Sequence, residues 1–253
     1  MLASTYPIYL FATAVAEGVD GVEVELLVNQ PTACLHDYTL TVQDMKAIER
    51  ADVLLLNGGG LEDFLEDALS ASAAAVIDCY EGHHHETEYD PHFWLVEEAA
   101  VVMLHNIAQG LSALDPDHGE VYTQQMQAAI RLLPGDPLKE AELACPYLIT
   151  FHDGFQYFAL DNGLTLLKSV EEEEGSTASA AEIKEIAALV REYDIPAIFT
   201  EKNGSDAAAR AIARETGAEI YQLDMIMSGE GSGIQPYLDA MKHNTDTILE
   251  ALG

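Results

Sequence analysis

Short apolar runs alternate with helix-period segments along this chain, and the series occurs twice. That alternation most constrains the fold. Residues 22–28 alternate and then run apolar, and 52–57, 75–77, 147–150, 164–167, 197–200 and 218–223 are short strand-type runs. Helical spacing falls at 41–50, where Val42, Met45 and Ile48 are expected on one face, and at 61–69, 96–114 and 155–162. It returns at 179–193, with Ser179 as a cap and Glu182 three residues on, at 206–216, closed by Gly217, and at 234–252. Apolar strands separated by helices belong to parallel sheets covered on both faces. The expected fold is therefore α/β, with two lobes each holding a parallel β-sheet flanked by helices. Their expected extents are 1–116 and 146–253, joined by a helical segment at 117–145 that Pro134 and Pro137 break.

Charge narrows the function classes. There are 44 Asp and Glu against 11 Lys and Arg, a formal net charge of −33. Binding a polyanion needs cationic side chains to displace its counterions, so nucleic acid is excluded as a partner and an anionic membrane surface is disfavoured. Disorder is not implied, because 49% of the residues are hydrophobic. No continuous apolar run reaches the roughly eighteen residues of a spanning helix. Met1 is followed by no basic n-region or apolar h-region, so this chain is expected to carry no signal peptide. Cys34, Cys79 and Cys145 form neither a disulfide framework nor a metal knuckle and are expected as small buried residues.

The chemistry collects at strand ends. His36 follows the strand at 22–28, His92 the one at 75–77, His152 the one at 147–150 and Asp224 the one at 218–223. In open α/β sheets ligands bind beyond the C-terminal edge. Three imidazoles and one carboxylate complete a four-coordinate set for Zn(II), and nitrogen-rich ligation suits zinc better than magnesium or calcium. Asp37, Asp90 and Asp153 lie one or two residues from the histidines and are candidates to orient an imidazole or its loop. Spacing alone leaves open that the histidines fill ordinary core or surface roles.

The residues around these positions carry a family resemblance. Tyr6-Pro7-Ile8-Tyr9, His36-Asp37-Tyr38, Asn57-Gly58-Gly59-Gly60-Leu61-Glu62 and Asp90-Pro91-His92-Phe93-Trp94-Leu95 come first. Phe151-His152-Asp153-Gly154-Phe155, Ala197-Ile198-Phe199-Thr200-Glu201 and Leu223-Asp224 follow in order. Together they resemble the zinc- and manganese-binding solute-binding proteins of bacterial ABC importers, the ZnuA/AdcA-like cluster A-I family. The resemblance implies a periplasmic-binding-protein-like fold with a helical backbone and metal ligands at His36, His92, His152 and Asp224. Manganese binders of that family tend to carry Glu at the third position, so His152 points to Zn(II), with Mn(II) as the alternative. It also implies an ABC importer permease with its cytoplasmic ATPase as partners. Export to the periplasm or cell surface and a monomeric state are expected too. Zinc members often have Glu before the first histidine, where this chain has Leu35, which throws weight onto Asp224. Glu201 stands at a position that is acidic in relatives and is expected beside the ligands or in a structural role. Cys34 is an alternative donor, and the break near Pro134 interrupts the family's long linking helix.

Other features weigh less. His83-His84-His85 in an acidic setting is a candidate metal-collecting loop or a plain solvated one. Gly58-Gly59-Gly60 is a turn and not a phosphate cradle, because Glu62, Asp63, Glu66 and Asp67 follow and would repel phosphate. Glu171 to Glu174 reads as a solvated charge run, and residues 229–233 as a loop or a lid. A zinc hydrolase would need an open coordination position and a recognisable base, and no such motif is present. A metal-containing surface adhesin is a further alternative.

Overall fold

The computed structural model describes residues 1–29, 35, 38–82, 90–135, 137–170, 178–202 and 204–253. Cys34, His36, Asp37, His83, His84, His85 and the run 171–174 lie outside the described residues.

The apolar runs form parallel strands, as burial on both faces requires. The first sheet holds Leu2–Ala3 (β1), Glu25–Leu26 (β2), Val53–Leu56 (β3) and Ala75–Asp78 (β4) in the order β2-β1-β3-β4. Its registers put Leu2 opposite both Glu25 and Leu54, and Val53 opposite Ala75. Tyr6–Val15 (α1) packs on the first three of these strands. Val42–Arg50 (α2) and Glu66–Ala71 (α3) follow, then Glu97–Leu114 (α4) and Gly119–Ile130 (α5), which pack on each other and on α1.

The second sheet holds Tyr147–Thr150 (β5), Thr165–Ser169 (β6), Ala197–Glu201 (β7) and Glu219–Leu223 (β8), ordered β6-β5-β7-β8 and again parallel throughout. Gln156–Asp161 (α6) packs on β6, Ala180–Glu192 (α7) on Ala207–Thr216 (α8), and α8 on β7 and β8. Gln235–Leu252 (α9) closes the chain. One compact unit comprises Met1–Leu133 with Ile226–Asp239, and the other Pro134–Met225 with Ala240–Gly253. The expected linking segment at 117–145 is thus divided between them, its helix α5 going with the first unit.

Local signals explain the boundaries. Ser179 Oγ accepts from the Glu182 backbone N–H at 3.2 Å while the Glu182 carboxylate accepts from Ser179 N–H at 2.8 Å, a closed capping box on α7. Thr41 and Asp44 make the same box on α2. Gly217 ends α8 at φ +86°, a left-handed conformation that costs glycine little. The expected apolar face of α2 is corrected: Ile48 is buried, but Val42 is 74% and Met45 43% exposed. Cys79 and Cys145 are buried free thiols. No described helix is long and apolar enough to cross a membrane.

Candidate metal centre

In the first unit the candidate residues form an Asp-Pro-His turn beyond β4. Asp90 Oδ1 accepts the His92 backbone N–H at 2.9 Å and its ring Nδ1–H at 2.8 Å. Proline between them fixes φ, and an aspartate that bonds the backbone two residues on is the usual device for such a turn. Both side chains are buried. A carboxylate at Nδ1 orients the imidazole in the way that leaves Nε2 as the donor when a metal is bound. The Trp94 indole meets the His92 ring edge-on, centroids 5.2 Å apart.

A second carboxylate lies in the loop after β3. Glu62 accepts from Ser4 Oγ and Asn57 N–H, both at 2.6 Å, and from Gly58 N–H at 3.2 Å. Burial pushes its carboxyl up to about 7 although these three donors pull the other way, with Asp78 adding a smaller push upward. Glu62 is thus a buried, hydrogen-bonded carboxylate. A raised native value means that ionisation is penalised by folding. The stability from Glu62 is complete below its unfolded value and falls as pH rises toward about 7, by on the order of 3 kcal/mol. Melting temperatures of the wild type and Glu62→Gln across that window are expected to show a flatter slope in the variant. Parallel slopes would contradict the assignment.

In the second unit a separate cluster is built by strand register. Thr150 on β5 lies opposite Phe199 on β7. Two residues further along each parallel strand stand His152 and Glu201, and the His152 Nδ1 atom is 3.4 Å from Glu201 Oε2. Glu201 pairs with Leu223 on β8, so Asp224 emerges one residue beyond it. Asp224 is clamped by Asn244, which accepts its N–H at 2.7 Å and donates to its carbonyl at 2.8 Å. Lys202 Nζ stands 3.0 Å from Asp224 Oδ2. Asp153 instead turns to Gln156 at 2.8 Å and Ser169 at 2.9 Å, which ties the loop after β5 to β6. Glu201 is a carboxylate beside the His152 ring.

Glu201 shows what this cluster attracts. Its Oε1 is buried without a hydrogen-bond partner, and burial first, then the Asp224 carboxylate, push it up to about 8. Two carboxylates held together in a poorly solvated place favour a cation. Among the described residues no three His, Cys, Asp or Glu side chains are gathered so that they could hold a metal ion. His92 and Asp90 belong to the first unit, and His152, Glu201 and Asp224 to the second. Sequence reasoning did not single out Asn57, Lys202 or Asn244, whose roles depend on partners distant in the chain.

Comparison with known proteins places this architecture. The model of the family described as zinc-uptake complex component A, periplasmic (ZnuA) matches residues 1–251. The chain belongs to that family. A ZnuA-family relative, the iron-binding protein YfeA of Yersinia pestis, is 29% identical over 94% of this chain and 83% of its own length. The zinc-binding lipoprotein AdcA of Streptococcus pneumoniae is 28% identical over 99% of this chain, which spans only 55% of AdcA. Among solved structures, the laminin-binding protein Lmb of Streptococcus agalactiae superposes with a TM-score of 0.85 at 27% identity, covering 100% of this chain and 98% of its own. Lmb is described as bifunctional, with adhesin and metal-transporting activity. ZnuA-family members are metal-binding transport proteins and not enzymes, so the hydrolase alternative falls away.

Proposed function

We propose that this chain is a zinc-selective solute-binding protein that captures Zn(II) through His36, His92, His152 and Asp224. It then delivers the ion to an ABC importer permease with its ATPase. Its working place on this reading is outside the cytoplasm, as a lipoprotein or periplasmic protein. The observation that carries the reading is the repeated pairing of an imidazole Nδ1 with a buried carboxylate, His92 with Asp90 and His152 with Glu201. Metal-binding histidines are characteristically oriented this way, with Nε2 as the donor. Relatives at nearly equal identity are named for iron and for zinc, so overall likeness does not choose the metal. The zinc reading is supported by the proposed donor set, since imidazole nitrogen favours zinc over manganese at equal availability.

The test is elemental analysis of protein loaded with Zn(II), followed by competition with Mn(II). One zinc per chain, retained against excess manganese, is expected. Substoichiometric zinc would overturn the capture site, and displacement by equimolar manganese would overturn the selectivity.

A further inference from the structure

We propose that Glu62 is a positioning residue for His92, acting through Asn57 on the Pro91 carbonyl. The inference rests on His92 being a ligand of the proposed site. Glu62 binds three donors, Ser4 Oγ after β1 and the Asn57 and Gly58 N–H groups after β3. Asn57 Nδ2 then donates to Gly58 O and to Pro91 O, both at 2.9 Å. Pro91 has no N–H, so its carbonyl is the backbone handle by which a neighbour can hold it. Asn57 is fully buried and Glu62 nearly so. The grip is therefore not exchanged for water, and losing one partner strands the other.

The same turn also touches the chain after His92. Gly59 has φ +66°, and a Cβ placed there would lie 2.3 Å from the Phe93 ring. Phe93 in turn stacks on Tyr80 at 3.7 Å with the planes 6° apart. The loop at 57–62 thus brackets His92, bonding the residue before it and packing on the residue after it. Asp90 sets the tilt of the ring, and the Glu62–Asn57 link sets where the whole turn stands. A ligand displaced by a fraction of an ångström loses much of its binding.

The test compares Zn(II) affinity, by chelator competition at one pH, for the wild type, Glu62→Gln, Asn57→Ala and the double variant. Co(II) absorption spectra and melting curves are taken in parallel. Glu62→Gln is expected to weaken zinc about 10- to 100-fold, the range seen when an orienting partner of a ligand is lost, and to alter the Co(II) spectrum. Asn57→Ala should do likewise, and the two losses should not multiply in the double variant, because they break one chain of bonds. Ser179→Ala, a cap loss in the second unit, should lower the melting temperature and leave affinity unchanged. A Glu62→Gln protein that melts earlier but keeps wild-type affinity would overturn the proposal, as would losses that multiply. If Asn57→Ala does not fold, Ser4→Ala takes its place: a smaller loss in the same direction supports the proposal, and none overturns it. If the wild type binds no zinc, it is the zinc reading that fails. The His92 ring nitrogen shifts in Glu62→Gln then decide positioning, moved if it holds and unmoved if it does not.

Discussion

Replacing His92 with alanine is expected to weaken zinc binding by more than about 100-fold, and His152→Ala by a comparable factor. Losing a partner that only orients a ligand costs about 10- to 100-fold, and losing the ligand removes a bond to the metal as well. His92 is the cleaner test. Its ring is buried, with Nδ1 bonded to Asp90, so alanine there removes a preorganised donor and leaves the Asp90 carboxylate buried without its imidazole. Asp90→Asn keeps the ring but weakens the acceptor that fixes its tautomer, and should fall in the 10- to 100-fold range. Asp224→Ala is expected to cost less than either histidine. Its carboxylate already has the Lys202 ammonium 3.0 Å away, and a second carboxylate, Glu201, lies near enough to feel its charge. Chelator competition measures all four. Wild-type affinity in His92→Ala would remove it from the ligand set, and loss with Glu201→Ala but not Asp224→Ala would exchange the two acids.

Much of this site was legible because its residues come from local motifs at strand ends. Asp90-Pro91-His92 is a turn whose geometry is written in three consecutive residues, and apolar runs such as 147–150 and 197–200 announce the strands that carry His152 and Glu201. The capping box on α7 and the closing Gly217 are likewise local. What escaped was long-range or too short to show a period. β1 is two residues long, and α1 is buried nearly all round, so it has no polar face to mark a 3.6-residue repeat. Pro7, which reads as a breaker, sits in the first turn of α1, where its missing N–H costs nothing. The α2 face misled for the opposite reason: its apolar spacing is helical, but tertiary packing takes only Ile48. The pairing of His152 with Glu201 depends on the β5–β7 register, and the Glu62–Asn57–Pro91 link joins three loops. Neither follows from spacing along the chain. The charge of −33 fits a carrier of divalent cations, since a negative surface raises their encounter rate, with salt screening its reach.

Trp94→Ala is expected to destabilise the first unit by about 3–5 kcal/mol, the usual cost of truncating a buried tryptophan. That is a large fraction of the roughly 5–15 kcal/mol by which a folded domain is stable. Trp94 has no exposed surface, and its neighbours are themselves core. Its carbonyl accepts the Tyr237 hydroxyl at 2.7 Å, and the Tyr237 ring packs edge-on against Phe11 of α1, centroids 4.9 Å apart. Removing the indole opens a cavity beside the His92 ring, and the surrounding backbone can close it only in part. Trp94→Phe keeps an aromatic edge there and should cost less. Because this is the chain's one tryptophan, its removal abolishes the intrinsic indole signal, so unfolding must be followed by far-ultraviolet circular dichroism. With two compact units, the transition is fitted unit by unit and not as a single step. Zinc affinity should fall in the same variant, since the ring that Asp90 orients loses the wall it leans on. A loss of under about 1 kcal/mol would mean that the site collapses freely on truncation, and would remove Trp94 from the support of His92.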